Sequence, residues 1–471
     1  MSTNPYEVAE PAEDLEEVEI ATSPEPVAGV NPPKESLRAR VLNSLGWEVG
    51  GQIGMQITRF GGNILLTKLL LPEAFGVIGL AQVFLMALNL LSDVGLTASV
   101  IHHPRGKDAK FLDTVWTVSI IRGWILWGLT CLGAIPFARF YEIPELAWVL
   151  PVAGFSSVIR AFASTSILTA KRDLRNAWYV IVDCGSQMMG TILTVVLAFF
   201  IPSVAALAWG WIATAVVYTG LSFCARGVQW NWFCWDREAV QSLASFGRWA
   251  MASSGVTILQ ERGDRIALGK IVTAAALGNY MIGANLATLP MTIFWRIQLG
   301  IAHPFYSRIR SESAEMQHSK IRRLRLGVVS TVGPAILGLI VLGNPVVRLI
   351  YDAPYHQAGW YCQLVGLASL VRVSTDVGPI FMAYGQARIH FLITLFHATA
   401  GAVGMLIGYL IGNRLGNPAA GVLYGFAFGP LLAYPFQIAM YRRINAWFPE
   451  VDAIGLSAAA LVVVAQVYGL I

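Results

Sequence analysis

Apolar segments of about twenty residues recur along the chain from residue 43 to its end. An α-helix rises 1.5 Å per residue, so a segment of this length crosses the roughly 30 Å hydrocarbon core of a bilayer. Thirteen such segments are found. Their limits are 43–67, 76–101, 114–138, 146–170, 176–200, 204–225, 246–270, 278–302, 326–347, 360–384, 389–412, 419–441 and 453–471. The pattern predicts an all-α integral membrane protein with about 13 transmembrane helices, within a range of about 12 to 14.

Polar residues interrupt several of these segments at helical spacing, which places them on one face of each helix. The first helix carries Glu48, Gln52, Gln56, Arg59 and Asn63; the second Gln82, Asn89 and Asp93; the fifth Asp183, Gln187, Gly190 or Thr191, and Thr194. Polar contacts between packed helices would explain single residues of this kind. Whole stripes favour a water-filled interior.

Two stretches of the chain resemble each other. KLLLPEAFG at 68–76 parallels KIVTAAALG at 270–278, and each precedes a helix that opens with small residues. Six helices separate the copies, so both halves enter the membrane in the same direction, as parallel repeats around a central cavity. We therefore divide the chain into a disordered acidic cytoplasmic tail (1–40), an N-terminal six-helix bundle (41–225), a cytoplasmic linker (226–245), a C-terminal six-helix bundle (246–443) and an extra C-terminal helix (444–471).

Composition and charge agree with a membrane protein. Hydrophobic residues make up 55% and charged residues 13% of the chain, against about 25% charged in soluble domains. The first 33 residues contain eight acidic residues and neither Lys nor Arg, a composition typical of disorder. Twenty Lys and Arg residues fall on one set of loops and five on the other. Because basic loops stay on the cytoplasmic side, this asymmetry predicts a cytoplasmic N-terminus.

The basic residues inside the helices are all arginines. They are Arg59, Arg122, Arg160, Arg248, Arg262, Arg265, Arg296 and Arg372. A guanidinium keeps its charge when buried and offers a planar fork to phosphate oxygens, whereas an ammonium is a point charge. The arginines nearest mid-helix, Arg59, Arg160 and Arg372, are the strongest candidates for substrate binding. Further candidates are Arg122, Arg262, Arg265, Arg296, Gln52 and Gln56.

Structural explanations remain open for some of these arginines. Arg248 lies at a helix start, and Arg122 and Arg296 are close enough to an end to reach the membrane interface. Two further arginines have an acidic residue four positions away on the same helix, which allows an ion pair. These spacings join Glu261 to Arg265 and Arg372 to Asp376.

Acidic residues are fewer than arginines within the helices. They are Glu48, Asp93, Asp183, Glu261, Asp264 and Asp376. The predicted cavity is therefore net cationic, and these acids either balance the arginines or bind Na⁺ or a proton for coupling. His397, with His390 two turns away, is interpreted as a hydrogen-bonded structural residue. The five cysteines show no metal-ligand spacing, and no catalytic constellation, metal cluster or phosphate-binding glycine loop is found, so neither a cofactor nor a nucleic acid partner is expected.

The chain resembles the polysaccharide transporter (Wzx-like oligosaccharide flippase) family of the multidrug, oligosaccharidyl-lipid and polysaccharide exporter superfamily. The likeness extends over about residues 40–445 and rests on LLLPEAFGVIGLAQ (69–82), DVGLTASVI (93–101), KRDLRN (171–176), the stretch 245–290 and AHPFYSRI (302–309). Many relatives have twelve or fourteen helices, so an unpaired thirteenth helix departs from the pattern.

The resemblance implies two bundles in a V shape that alternate between inward-open and outward-open states in a bacterial inner membrane. The implied substrate is a polyprenyl-pyrophosphate-linked oligosaccharide, moved from the cytoplasmic to the outer leaflet for polysaccharide export. The arginines would bind the pyrophosphate while the prenyl tail stays in lipid. Transport would be coupled to Na⁺, H⁺ or the membrane potential, with a polysaccharide polymerase and glycosyltransferases as possible partners.

Two other functions are compatible with parts of the sequence. A drug or cation antiporter would share the fold, but an acid-dominated cavity would be expected. A membrane polysaccharide polymerase or ligase would normally carry a large external loop for its chemistry, and the predicted external loops here are short. The sequence therefore favours a transporter over an enzyme.

Overall fold

The computed structural model describes residues 37–92, 96–173, 176–224, 228–376 and 378–468, and the part of the acidic tail before residue 37 lies outside this range. The α-helices, in chain order, are α1 (Leu37–Leu69), α2 (Pro72–Leu91), α3 (Leu96–His102), α4 (Ala109–Tyr141), α5 (Leu146–Ala161), α6 (Ser166–Arg172), α7 (Asn176–Phe200), α8 (Val204–Ser222), α9 (Arg237–Ile271), α10 (Ala274–Ala287), α11 (Leu289–Ile297), α12 (His303–Ile309), α13 (Ala314–Ile350), α14 (Gln357–Thr375), α15 (Pro379–Ala383), α16 (Ala387–Arg414), α17 (Pro418–Phe428), α18 (Tyr434–Arg443) and α19 (Pro449–Val467). A π-helical turn, Gln298–Ala302, joins α11 to α12, and short 3₁₀ turns precede α14 and α18. The described residues form no strand, and the predicted all-α fold is confirmed.

Helix length and hydropathy mark fewer membrane spans than the thirteen predicted. Nine helical segments of the described chain are long and apolar enough to cross a bilayer, or ten if α5 and α6, which meet at a 67° bend, form one span. The predicted spans that do not meet these criteria of length and hydropathy are α1, α9 and the broken run α10 to α12. Polar residues explain the failure for α1 and α9, because these helices carry many of the intramembrane charges. The count of thirteen stays a prediction.

The largest differences from the predicted helix starts are at α9 and α13. Helix α9 begins at Arg237, so the second half of the expected 226–245 linker is helical. The side chain of Asp236 caps its N-terminus by accepting a hydrogen bond from the backbone of Glu238 at 3.1 Å. Helix α13 begins at Ala314 rather than at 326 and extends beyond the apolar stretch. Apolar composition reports the membrane-crossing part of such a helix and misses its polar turns.

Helix α2 of the N-terminal half and helix α10 of the C-terminal half pack closely against each other. A Cβ on Gly76 would lie 2.1 Å from the carbonyl oxygen of Ala274, and one on Gly278 would lie 1.8 Å from that of Pro72. No side chain fits at such distances. These two glycines end the matching stretches KLLLPEAFG and KIVTAAALG, so the resemblance between them marks a contact between the halves.

We call the end of the bundle that carries Arg105, Arg172 and Arg310 the basic side, and the opposite end, which carries Lys68 and Lys270, the far side.

Contacts between the halves close the far side. The hydroxyl of Tyr355 donates to the carbonyl of Leu70 at 2.7 Å, and Lys270 pairs with Glu142 at 2.5 Å. Because Lys270 donates a hydrogen bond to it, the Glu142 carboxyl has a pKa below its usual range. The far side is therefore closed in this conformation.

The C-terminal helix α19 packs against α13 and α14. On its first turn Asp452, 2% exposed, pairs at 2.6 Å with Arg325 of α13, which is 5% exposed. The other carboxylate oxygen accepts a hydrogen bond from the hydroxyl of Tyr434, and Arg325 also donates to the carbonyl of Ser374 at 2.8 Å. One prediction is corrected: the sequence pattern counts Arg325 among the basic residues of the loops, but it is buried within α13. The structure also gives the thirteenth predicted helix partners within its own chain.

Candidate functional site

A cavity of about 1400 Å³ lies between the two halves of the protein. Its walls come from α1, α2, α4, α5, α7 and α8 of the N-terminal half and from α9, α10, α11, α14, α16 and α17 of the C-terminal half. It extends to the basic side, where Leu96, Thr165 and Leu168 line it. Because the far side is closed, the cavity is open in one direction.

Charged residues of the cavity wall are mostly cationic. Among the described residues the wall contains six arginines and three acidic residues: Arg59, Arg122, Arg160, Arg262, Arg265, Arg372, Glu261, Asp264 and Asp376. Polar residues of the predicted stripes also line it, including Gln56, Asn63, Gln82, Asn89, Gln187, Thr191 and Thr194. The prediction of an arginine-rich, polar interior thus agrees with the geometry.

Two arginines of the N-terminal half are exposed to the cavity. Arg59 on α1 makes no hydrogen bond or ion pair with any residue that the structure describes. Arg160, in the last turn of α5, lies over the ring of Tyr218, with 4.2 Å between its Cζ atom and the ring centroid. An aromatic face orients a guanidinium without using its N–H donors. Both arginines therefore keep donors available for a ligand.

Arg122 has a structural role as well as a place in the wall. Its Nε donates to the carbonyl of Ser92 at 2.9 Å, and its Nη2 donates to that of Asn89, also at 2.9 Å. These carbonyls lie at the C-terminal end of α2, where a helix has unpaired acceptors and a partial negative charge. Several of its donors therefore hold the end of α2.

Helix α9 contributes a partly buried group of charges. Arg265 is 7% and Asp264 5% exposed, and the hydroxyl of Tyr280 donates to Asp264 Oδ2. Glu261 and Arg265 form no salt bridge in this conformation, so the ion pair that their spacing allows is absent. Within the described chain, Arg265 Nε has no hydrogen-bond partner. Arg262 instead turns toward α2, with its Nε 3.2 Å from the sulfur of Met86.

The second pairing suggested by spacing is also absent. Arg372 lies over the indole of Trp295, with 4.8 Å from its Cζ atom to the ring centroid, and makes no salt bridge with Asp376. Asp376 follows the last residue of α14, and its Oδ1 accepts a hydrogen bond from the backbone of Gly378 at 2.7 Å. The break in the helix after Thr375 gives the carboxylate this backbone partner. Arg372 thus resembles Arg160 in resting on an aromatic ring within the cavity.

Some predicted site residues do not line the cavity. Gln52 and Arg296 are exposed outside the cavity, and Asp183 is half-buried and does not line it. Asp93 lies outside the described residues, as do the side chains of Glu48 and Arg248. Gln52 is one turn from Gln56, which does line the cavity, so the stripe on α1 runs out of the cavity toward the basic side.

The aromatic partners of the arginines were not predicted from the sequence. Tyr218 and Trp295 lie on helices that are distant in sequence from Arg160 and Arg372, and no spacing rule joins such pairs.

His397 also lines the cavity, and its Nε2 is 2.9 Å from Oε1 of the buried Gln437, which agrees with its interpretation as a hydrogen-bonded residue. In the part of the chain that the structure describes, no three His, Cys, Asp or Glu side chains come together as metal ligands would.

The chain is similar in sequence or in fold to several known proteins. Residues 65–358 match the family model described as "Polysaccharide biosynthesis protein". The lipopolysaccharide biosynthesis protein WzxC of Escherichia coli K12 is 21% identical over 394 residues, covering 80% of this chain and 79% of that protein. The succinoglycan biosynthesis transport protein ExoT of Rhizobium meliloti 1021 is 22% identical over 388 residues, covering 79% of this chain and 75% of that protein. The lipid II flippase MurJ, in an inward closed conformation, shares the fold, with a TM-score of 0.63 and 11% identity over 88% of this chain and 92% of that one.

Proposed function

The chain belongs to the polysaccharide biosynthesis protein family that the sequence resemblance indicated, and we propose that it moves a polyprenyl-pyrophosphate-linked oligosaccharide across the membrane by alternating access. It acts as a transporter and not as an enzyme. The names of WzxC and ExoT support a role in polysaccharide biosynthesis and transport, and the flippase fold supports movement of a lipid-linked head group.

The observation that carries the proposal is the excess of arginine in the central cavity. Six arginines face three acidic residues in the described part of the wall. A volume of about 1400 Å³ exceeds the roughly 300–1,000 Å³ of ordinary small-molecule sites. Such a cavity suits a large anionic head group and disfavours a cationic drug, for which acidic residues would dominate. The prenyl chain would remain in lipid at the boundary between the halves.

We assign the pyrophosphate contacts to Arg59, Arg160 and Arg372. Arg59 and Arg160 belong to the N-terminal half and Arg372 to the C-terminal half, so a single pyrophosphate bound between them would link the halves. Rings under Arg160 and Arg372 fix the guanidinium planes and leave their N–H groups for phosphate oxygens. Such bidentate, charge-assisted bonds are among the strongest hydrogen bonds in proteins.

The direction of movement follows from the orientation. Loops rich in Lys and Arg stay in the cytoplasm, so the basic side is cytoplasmic and the cavity is open inward in this conformation. The head group would enter from the cytoplasmic leaflet of a bacterial inner membrane and leave when the far-side contacts open.

The candidates for charge balance or for coupling to Na⁺ or H⁺ remain the acidic residues Asp93, Asp183, Glu261, Asp264 and Asp376. A polymerase and glycosyltransferases would act on the same glycan.

Arginine variants in cells that depend on this protein for glycan export test the assignment. We expect Arg→Ala at positions 59, 160 or 372 to reduce export severely and Arg→Lys to reduce it less, because lysine keeps the charge but loses the fork. Arg296→Ala is the matched control, since Arg296 is exposed outside the cavity. The proteins must insert at normal abundance. Export at the parental rate by all three alanine variants would contradict the assignment.

A double variant separates binding from local folding at Arg372. Since Arg372 and Asp376 form no salt bridge, adding Asp376→Asn to Arg372→Ala should not restore export. Recovery of export in the double variant would mean that the two residues act as a structural pair.

A further inference from the structure

The segment that joins the two halves exposes four large aromatic side chains. It lies between α8 and α9, and its exposed residues are Trp230 (70%), Trp232 (74%), Phe233 (70%) and Trp235 (60%). Aromatic rings of this size are normally buried, and a contiguous exposed apolar surface marks a site of interaction. We call residues 228–236 the aromatic segment.

The aromatic segment is fixed to the N-terminal half by hydrogen bonds along its backbone. The hydroxyl of Ser166 accepts from the backbone of Gln229 at 2.9 Å, and Asp113 Oδ1 accepts from the backbone of Trp232 at 3.1 Å. Further along, the hydroxyl of Thr117 accepts from the backbone of Cys234, also at 3.1 Å.

Side chains that point toward the bundle add to this attachment. Asn231 donates to Asp113 at 3.0 Å, and its carbonyl oxygen accepts from the backbone of Thr165 at the same distance. The segment is therefore held in one conformation with its polar groups facing the bundle. The four rings stay on the outside, whereas in a flexible loop such rings could collapse against the protein.

Helix lengths give the depth of the segment. A hydrocarbon core of about 30 Å corresponds to about twenty helical residues. Counted back from Arg139 at the far side of α4, twenty residues reach Ser119. Asp113 and Thr117, which hold the aromatic segment, therefore lie just beyond the hydrocarbon core.

Helix α8 places the segment at the same level. Its 19 residues are about 28 Å long, enough to cross the core and end at Ser222. The ring of Phe223, the next residue, stacks on Trp230 with 5.3 Å between centroids. The aromatic segment thus begins where this helix leaves the hydrocarbon.

From these positions we propose that the aromatic segment lies in the headgroup region of the bilayer leaflet on the basic side, with its tryptophans buried among the lipid headgroups. Tryptophan is enriched at this depth because its ring is apolar and its N–H is polar. Exposed Lys110, which is close to Asp236, and exposed Arg237 lie at the C-terminal end of the segment and complement anionic lipid headgroups. Since the same segment contacts Thr165 at the cavity wall, lipid contact would hold the mouth of the cavity at the bilayer surface.

A fluorescent label tests the depth of the segment. The full-length chain, with its native cysteines replaced, carries the environment-sensitive dye NBD on Trp232→Cys and is placed as a single copy in a phosphatidylcholine and phosphatidylglycerol nanodisc. We expect blue-shifted emission, several-fold stronger quenching by a lipid with a nitroxide near its headgroup, and several-fold weaker quenching by aqueous iodide than for a label on Glu238→Cys. Glu238 is the matched control, because its side chain is 86% exposed and it lies two residues after the segment, in the first turn of α9.

A second measurement avoids cysteine replacement. Brominated phospholipid should quench part of the tryptophan emission of the unlabelled chain, and Trp230→Gln, Trp232→Gln and Trp235→Gln together should remove a quenchable fraction. Equal iodide access at positions 232 and 238 in the nanodisc would overturn the proposal. Shielding of position 232 that grows only when two copies share a disc would also overturn it, because a second copy would then cover the rings.

Discussion

The buried ion pair between α13 and α19 gives a quantitative prediction about the C-terminal helix. Asp452→Asn would leave Arg325 without its carboxylate at a position where both side chains are at most 5% exposed and 2.6 Å apart. Removing one partner of a buried pair costs about 3–5 kcal/mol. Arg325 already has one buried nitrogen, Nη1, without a partner among the described residues, so it has little local compensation. We expect a loss of unfolding free energy in this range.

The same two helices provide the matched control. Arg322 of α13 pairs with Glu450 of α19 at 2.7 Å, but these side chains are 49% and 47% exposed. An exposed pair contributes about 0–1 kcal/mol, so Glu450→Gln should change stability by no more than that. The two variants thus remove one ion pair each from the same helix contact and differ in burial.

Unfolding of the purified chain in mixed detergent and sodium dodecyl sulfate micelles, followed by protease access to α19, measures both effects. The double variant Arg325→Met with Asp452→Leu should recover much of the loss, because apolar residues often replace a buried pair at little cost. If Asp452→Asn destabilises the chain no more than Glu450→Gln does, the buried ion pair does not hold α19 against α13.

Three further predictions concern the conformation, the tail and the topology. Tyr355→Phe removes a hydrogen bond that closes the far side. Because the closed state loses about 1 kcal/mol of stability, the outward-open population should rise about fivefold. Electron–electron distances between spin labels on the far side measure this population, and unchanged distances would contradict the prediction. Deletion of residues 1–33, which lack basic residues and a hydrophobic face, should leave insertion and export intact, whereas loss of the inserted protein would show a role for the tail. Cysteines placed after Lys34 and at Ser311 should resist an impermeant reagent added to intact cells, and labelling of either one would reverse the proposed orientation.

Features of the fold that depend on local pattern could be predicted from the sequence. The polar stripes on α1 and α7 identified cavity residues such as Gln56, Arg59 and Thr194, because helical periodicity fixes which side chains share a face. Periodicity does not show where a stripe leaves the cavity, and Gln52, on the same stripe of α1, lies beyond it. Burial of Arg325 was missed for a related reason: a charged turn next to a membrane helix looks like a loop until its partner Asp452, distant in sequence, is known.

Partners between helices could not be predicted, because they depend on how the bundle packs. Spacing of four residues allowed ion pairs for Arg265 and Arg372, and neither forms in the structure. Arg372 lies instead on Trp295 and Arg160 on Tyr218, contacts that join separate helices. Sequence reasoning thus found the arginines of the cavity but not the rings that orient them.

In the proposed function, the arginine-rich cavity carries an anionic lipid-linked saccharide across the bilayer. The most direct test uses the purified full-length chain in proteoliposomes and follows the transfer of an oligosaccharide between leaflets when it is linked to a prenyl chain through pyrophosphate or through an uncharged bond. We expect transfer of the pyrophosphate form, its loss in the combined Arg59→Ala, Arg160→Ala and Arg372→Ala variant, and its retention in Arg296→Ala. Equal transfer of the charged and uncharged forms, or undiminished transfer by the combined variant, would contradict the proposed function.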